Sequence, residues 1–197
     1  EMVSEFDIED LHKSGAVFDM EKLRWFNRQY MQKLPKDEFT KIALEILESS
    51  IRASGVEWNE SVGKSILNLI RERIYVWEDI KNLVSSGEFN FFFADPELKA
   101  SEIPEKTSNT SEATQNLLKS EEILSEIPLD SFNEPENIKT HLWDYATETG
   151  RGSVLWPLRY ALTGRKQSPD PFLVASIIGK DATLRRVARA IKQLQTP

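Results

Sequence analysis

The side chains with the clearest chemical potential lie towards the C-terminal end, in Leu155-Trp156-Pro157-Leu158-Arg159-Tyr160-Ala161-Leu162-Thr163-Gly164 and the following Arg165-Lys166-Gln167-Ser168-Pro169-Asp170-Pro171-Phe172. Guanidinium and ammonium groups donate hydrogen bonds and carry positive charge, so their chemistry is the holding of anions and acceptor-bearing edges. Groups suited to bond making are scarce. The 197 residues include no cysteine and two histidines, His12 and His141. That excludes disulfides, thiolate metal sites and a cysteine nucleophile, and it argues against a histidine-based metal centre or triad. The carboxylates Glu5, Asp7, Glu9 and Asp10, and again Glu121, Glu122 and Glu126, read as solvated helix surface. Gly150-Arg151-Gly152-Ser153 lacks the downstream Lys-Ser/Thr of a phosphate loop and reads as a tight turn. The expectation is no catalytic residue and no metal.

The elements that position these residues are helices. Gly164 stops a short helix, a polar turn follows, and a second helix starts around Pro171, which makes Arg159 and the turn at 165–171 neighbours. Upstream, Phe39, Ala43, Leu47 and Ile51 recur every fourth residue in a helix that starts after Pro35 and ends at Gly55. Leu23, Phe26, Tyr30 and Met31 mark an earlier helix with Asp19 as its N-cap. A periodic segment runs from Asn59 to Ser85, as one helix or two, and Phe89-Asn90-Phe91-Phe92-Phe93 reads as an irregular apolar plug. Residues 101–113 have linker composition, and amphipathic segments follow at about 113–127, 134–148, 153–163, 170–178 and 180–194. Strict alternation is missing throughout. The predicted fold class is all-α, two small helical bundles in series at residues 1–100 and 101–197.

Charge is divided unevenly. Residues 151–197 hold nine Lys and Arg against two Asp, a net +7 within a chain of net −7, which leaves −14 for residues 1–150. A basic working end on an acidic remainder suits a polyanionic partner such as nucleic acid. It also suits a helical protein–protein adaptor docking on an acidic partner, the alternative reading. No apolar run is long enough to span a membrane, no secretory leader is visible, and the expected compartment is the cytoplasm. The opening Glu1-Met2, in place of an initiator methionine, suggests a piece of a longer protein.

The order Pro157-Leu158-Arg159, Ala161-Leu162-Thr163-Gly164, a Ser-Pro turn, Ile178-Gly179-Lys180 and Leu184-Arg185-Arg186 resembles the C-terminal end of bacterial-type glutamyl-tRNA synthetases. Ser14 to Asn27 resembles the segment that follows the catalytic region in that family, and Phe91-Phe92-Phe93 resembles its aromatic plug. The two ATP-binding signatures of class I synthetases are absent from this chain. The resemblance therefore implies an anticodon-binding portion built as an α-helix cage. ATP, Mg and the ligase step would belong to the rest of the synthetase chain, and no cofactor to this fragment. The implied partner is glutamate tRNA.

By the same resemblance, Arg159 and the turn residues Ser168, Pro169 and Pro171 fall where the family contacts anticodon bases, and Arg73 falls where it reads the third anticodon base. A guanidinium offers donors only, so it complements the acceptors of cytosine and leaves the donors of guanine unmatched. The competing reading of Arg73 is a surface ion pair with Glu72 or Glu78. Arg151, Arg165 and Lys166 are expected to hold phosphates. Trp143, Trp156 and the Phe89–Phe93 cluster are expected in the core more than on bases, and His141 in a structural or solvent role.

Overall fold

Apolar side chains at helical spacing close one face of a helix, and the stripe Phe39, Ala43, Leu47 and Ile51 is buried along the whole of α2 (Lys36–Ala53). The computed structural model describes residues 18–106 and 108–196. The acidic opening helix expected from the sequence, with its four carboxylates, and His12 lie outside the described residues. Among the described residues the fold is all-α, without a strand and without a helix long and apolar enough to cross a membrane.

The N-cap expected at Asp19 is formed. Its carboxylate accepts from the backbone N–H groups of Glu21 and Lys22 and starts α1 (Met20–Lys33). Burial of this helix differs from its periodicity, because only Met31 is buried while Leu23, Trp25, Phe26 and Tyr30 are exposed. Polar contacts hold α1 to the body instead. Arg28 donates to the carbonyl of Glu72 at 3.1 Å, and Arg71 donates to those of Gln32 and Leu34 at 2.7 and 2.9 Å.

The periodic segment after Asn59 folds as three helices, α3 (Glu60–Ser65), α4 (Leu67–Arg73) and α5 (Glu78–Ser85). Asn59 caps the first, and the carboxylate of Asp79 accepts from the N–H groups of Tyr75 and Val76 at 2.7 and 3.1 Å, turning the chain between α4 and α5. The aromatic run is a single helical turn, α6 (Asn90–Phe93), where an irregular plug was expected. Helical winding turns Phe91 and Phe92 into the core beside fully buried Phe89, and Phe93 stacks on Trp58 at 5.3 Å.

Five helices follow: α7 (Thr110–Glu126), α8 (Pro135–Thr149), α9 (Arg151–Thr163), α10 (Pro171–Ile178) and α11 (Lys180–Gln195). Helices α7 and α11 pack on each other and on α9, which also meets α8 and α10. The polar stretch before α7 is anchored, since its single aliphatic residue, Ile103, is fully buried and a 3-10 turn spans Ala100–Glu102.

Helix α9 carries Pro157 in its interior. A proline has no N–H to donate, which strips the carbonyl four residues back, that of Ser153, of its helical partner. The buried side chain of Asn116 supplies the missing donor from α7 at 2.9 Å, and its own Oδ1 accepts from the Tyr145 hydroxyl at 2.8 Å. The helix that bears Arg159 is thereby locked to α7 and α8.

Candidate nucleic-acid interface

Helix α9 ends at Gly164, whose φ of 65° is left-handed and whose N–H donates to the carbonyl of Tyr160 at 2.7 Å. A Cβ at this position would meet the carbonyl oxygen of Glu97 at 2.7 Å, so glycine is required by space as well as by backbone angle. The Thr163 hydroxyl donates to the carbonyl of Arg159 at 2.8 Å and accepts from the N–H of Arg165 at 3.2 Å. At the far end of the loop, Asp170 caps α10 by accepting from the N–H of Phe172 at 2.8 Å, and Pro171 occupies the first turn. The loop 165–169 is thus clamped on both sides and leans towards the first half of the chain.

There it faces the end of α4 and the segment before α6. Arg73, Glu88 and Phe91 form one wall of a cleft of ≈ 900 Å³, and Gly164, Arg165, Lys166, Gln167, Ser168 and Pro169 form the other. Among the described residues, three cations and a single carboxylate line it. The Arg73 guanidinium bonds Glu88 Oε2 through Nη1 at 2.7 Å and lies 5.6 Å from the ring centre of Phe89. Its partner is therefore Glu88, and not Glu72 or Glu78 as sequence proximity suggested.

The fold brings Arg73, Arg165, Lys166, Ser168 and Pro169 around one space. It does not place Arg159, Pro171 or Arg151 in that lining. Arg159 is half-buried on α9, and its Nε is buried without a hydrogen-bond partner among the described residues. Pro171 is buried under the loop, so its ring is no surface for a base. Arg151 is exposed and lies over Trp143 with its guanidinium carbon 4.4 Å from the ring centre, and the Lys139 ammonium lies 5.3 Å from the same ring centre.

The other residues singled out have structural partners. Trp156 donates through Nε1 to the carbonyl of Glu102 at 3.3 Å, and the Tyr160 hydroxyl donates to the Glu102 carboxylate at 3.1 Å. Burial opposes ionisation of Glu102. Hydrogen bonds from Tyr160 and from Lys166, whose ammonium lies 3.4 Å away, outweigh it and hold the carboxyl below its ordinary range. His141 donates through Nδ1 to the carbonyl of Asn137, 2.7 Å away on its own helix.

The basic end is only partly available. Arg185, Arg186 and Arg189 converge on Asp95, and Lys180 donates to the carbonyls of Ser125 and Ile127. Four of the nine cations counted from 151 onward therefore stitch α11 to its neighbours. Among the described residues no group of three or more His, Cys, Asp or Glu side chains is arranged to hold a metal ion.

Sequence reasoning missed Glu88. Its separation of 15 residues from Arg73 is too large for any helical pairing rule, and nothing in its local spacing singles it out.

The donor-rich, partly apolar cleft suits the holding of acceptor-bearing groups more than bond making. The family described as anticodon binding domain matches residues 20–191, and the chain belongs to that family. Glutamate–tRNA ligases of Clostridium acetobutylicum and Christiangramia forsetii are 34% and 33% identical to it across 99% of its length. A crystal structure of a glutamate tRNA ligase from Elizabethkingia meningosepticum, in complex with its amino acid, covers 98% of this chain with a TM-score of 0.75 and 31% identity. A glutamate-tRNA synthetase from Elizabethkingia anophelis gives 0.71 at the same identity. The chain spans 36–39% of the length of these two ligases and 35–36% of the two crystallised chains.

Proposed function

We propose that the chain recognises the anticodon loop of glutamate tRNA and that the cleft between Arg73 and the 165–169 loop takes the splayed anticodon bases. The observation that carries this reading is the junction of Arg73 with Arg165, Lys166, Ser168 and Pro169 around one open space, in a member of the anticodon binding domain family. Single-stranded RNA is read by holding bases out of their stack and meeting their edges with polar groups, while Lys and Arg neutralise phosphates. Arg73 keeps donors beyond the one given to Glu88, and they suit the acceptors of a cytosine at the third anticodon position. Arg165 and exposed Lys166 stand on the rim for phosphates, and Pro169 offers an apolar face.

The ligase step, with its ATP and Mg, is assigned to the remainder of a longer cytoplasmic chain. The apolar side of α1, with Trp25, Phe26 and Tyr30 exposed among the described residues, is where that remainder would pack. The chain alone is expected to show no ATP–pyrophosphate exchange with glutamate. The adaptor reading needs the basic end free to dock, and four of its nine cations are engaged in holding α11.

Titration of the chain with anticodon stem–loop RNAs carrying cytosine or guanine at the third position tests the reading. Weak, salt-sensitive binding with a preference for cytosine is expected, and Arg73→Gln should lower that preference by about one order of magnitude. Equal binding of both RNAs by the unmodified chain would overturn it.

A further inference from the structure

We propose that Arg28 is a positioning residue for Arg73: from α1 it clamps the peptide before Arg73 and the aromatic ring after it, and so fixes the direction in which that guanidinium enters the cleft. This rests on the anticodon reading above and extends it to a helix outside the cleft lining.

Helix α1 is attached to the body through its polar side. Met31 is its one buried residue, while Leu23, Trp25, Phe26 and Tyr30 are exposed among the described residues. A cavity of ≈ 310 Å³ separates Tyr30 and Met31 from Tyr75, Val76 and Trp77, so apolar packing between the helix and the turn is incomplete. The polar contacts of α1 gather instead on residues 71–79, the stretch that contains Arg73. Arg28 donates through Nη2 to the carbonyl of Glu72 at 3.1 Å, and its guanidinium carbon lies 5.4 Å from the ring centre of Tyr75. Arg24 lies 5.2 Å from the same ring centre and 3.9 Å from Asp79. In the opposite direction Arg71 donates to the carbonyls of Gln32 and Leu34 at the end of α1.

The bond to Glu72 is the one that bears on Arg73. The Glu72 carbonyl and the Arg73 N–H belong to a single planar peptide, so a donor held at that oxygen fixes the plane from which Arg73 departs. This carbonyl lies in the last turn of α4, where carbonyls lose their helical donors. The N–H four residues on, that of Val76, is given to Asp79 instead. Arg28 fills the vacancy with a cation at a helix C-terminus, where a cation is favoured. Arg73 is exposed, and among the described residues its side chain makes one hydrogen bond, to Glu88. Its place is set by its neighbours: Arg71 is tied to α1, the Glu72 carbonyl to Arg28, Ile74 is fully buried, and Tyr75 is covered by two guanidiniums. A recognition group works when supporting residues hold it within about 0.5 Å of its productive geometry, and these contacts are that support.

The test is a titration of the chain, of Arg28→Ala, of Arg73→Gln and of the double variant with two anticodon stem–loops that differ only in cytosine or guanine at the third anticodon base. Ratios taken within one preparation cancel any inactive fraction, so a partly unfolded variant still reports. Arg28→Ala should lower the cytosine-over-guanine ratio by about three- to tenfold. Added to Arg73→Gln, the same substitution should leave the ratio within a factor of about two, because the group it positions is gone. The slope of log K against log salt should be the same in Arg28→Ala as in the unmodified chain. An unchanged ratio in Arg28→Ala overturns the inference. So does an undiminished fall in the Arg73→Gln background, which would have Arg28 act without Arg73, or a slope flattened by about 0.7, which would place Arg28 on a phosphate. If the unmodified chain does not separate the two RNAs, the anticodon reading falls and this inference with it. If it does, the other outcomes judge Arg28 alone.

Discussion

Arg186 on α11 donates from Nε to Asp95 Oδ1 at 2.9 Å across 91 residues of sequence, and its remaining nitrogens reach the carbonyls of Leu162 and Ala94 at 2.7 and 2.9 Å. One guanidinium, 3% exposed, thus ties the last helix to the end of α9 and to the segment leaving α6. Both adjoin the cleft, since α9 runs into Gly164 on one wall and α6 carries Phe91 on the other, so the pair stands behind the geometry of the candidate site.

Replacing Asp95 with asparagine leaves Arg186 charged and buried without its counter-ion. The expected loss is about 2–4 kcal/mol, read as a shift in the urea midpoint. Hydrogen bonds from Arg185, opposed by burial and joined by those from Arg186, hold the Asp95 carboxyl well below its ordinary range. A carboxyl lowered in the folded state contributes its stability above the unfolded value, about 4, and loses it as the pH falls through the folded value. The gap between the natural chain and Asp95→Asn should therefore be full at neutral pH and close progressively below about pH 4. A gap that does not depend on pH would remove the ion pair from the explanation.

Asn116→Ala removes the donor that replaces the missing N–H of Pro157. It strands the Ser153 carbonyl and the Tyr145 hydroxyl together, for an expected cost of about 1–3 kcal/mol in denaturant unfolding. Asn116→Asp should be no rescue, because a carboxylate has no donor for that carbonyl. Stability equal to the natural chain in both variants would show that another group satisfies Ser153.

Alanine at Gly164 meets a left-handed backbone angle and the Glu97 carbonyl at once. More than about 1 kcal/mol should be lost. The thermal midpoint should drop and the affinity for anticodon stem–loops should fall with it, since the 165–169 loop leaves from this residue. A variant as stable as the natural chain would show that the segment at 96–97 yields easily.

Salt dependence separates cations that touch RNA from those that hold the fold. Each phosphate contact contributes roughly 0.7 to the slope of log K against log salt for a single strand. Arg165→Ala and Lys166→Ala should each flatten the slope by about that amount. Arg189→Ala, whose guanidinium sits 3.1 Å from Asp95, should leave it unchanged. The reverse pattern would move the interface onto α11.

Much of the helical scaffold is legible in the amino-acid order, because caps and apolar spacing act over one turn. Asp19, Asn59 and Gly164 start or stop helices through contacts within four residues, and the Phe39 to Ile51 stripe is buried as its period requires. The same period misleads at α1, where Leu23, Phe26 and Tyr30 define an amphipathic helix but not what covers it. The run around Phe91 was legible as apolar load, though not as a helical turn.

What the sequence determined alone is therefore the all-α class, most of the helices with several of their ends, and a basic tail rich in donors. Which of those donors are available was decided in three dimensions. Lys180, Arg185, Arg186 and Arg189 count equally with Arg165 and Lys166 in the charge of the tail, yet the first four hold carbonyls and Asp95 while the last two rim the cleft. Arg73 meets Glu88 instead of its chain neighbours because α4 and the turn before α6 are packed side by side. Caps and periodicity obey distances of a few residues along the chain, whereas a charge takes whatever opposite charge the packing of helices brings within a few ångströms.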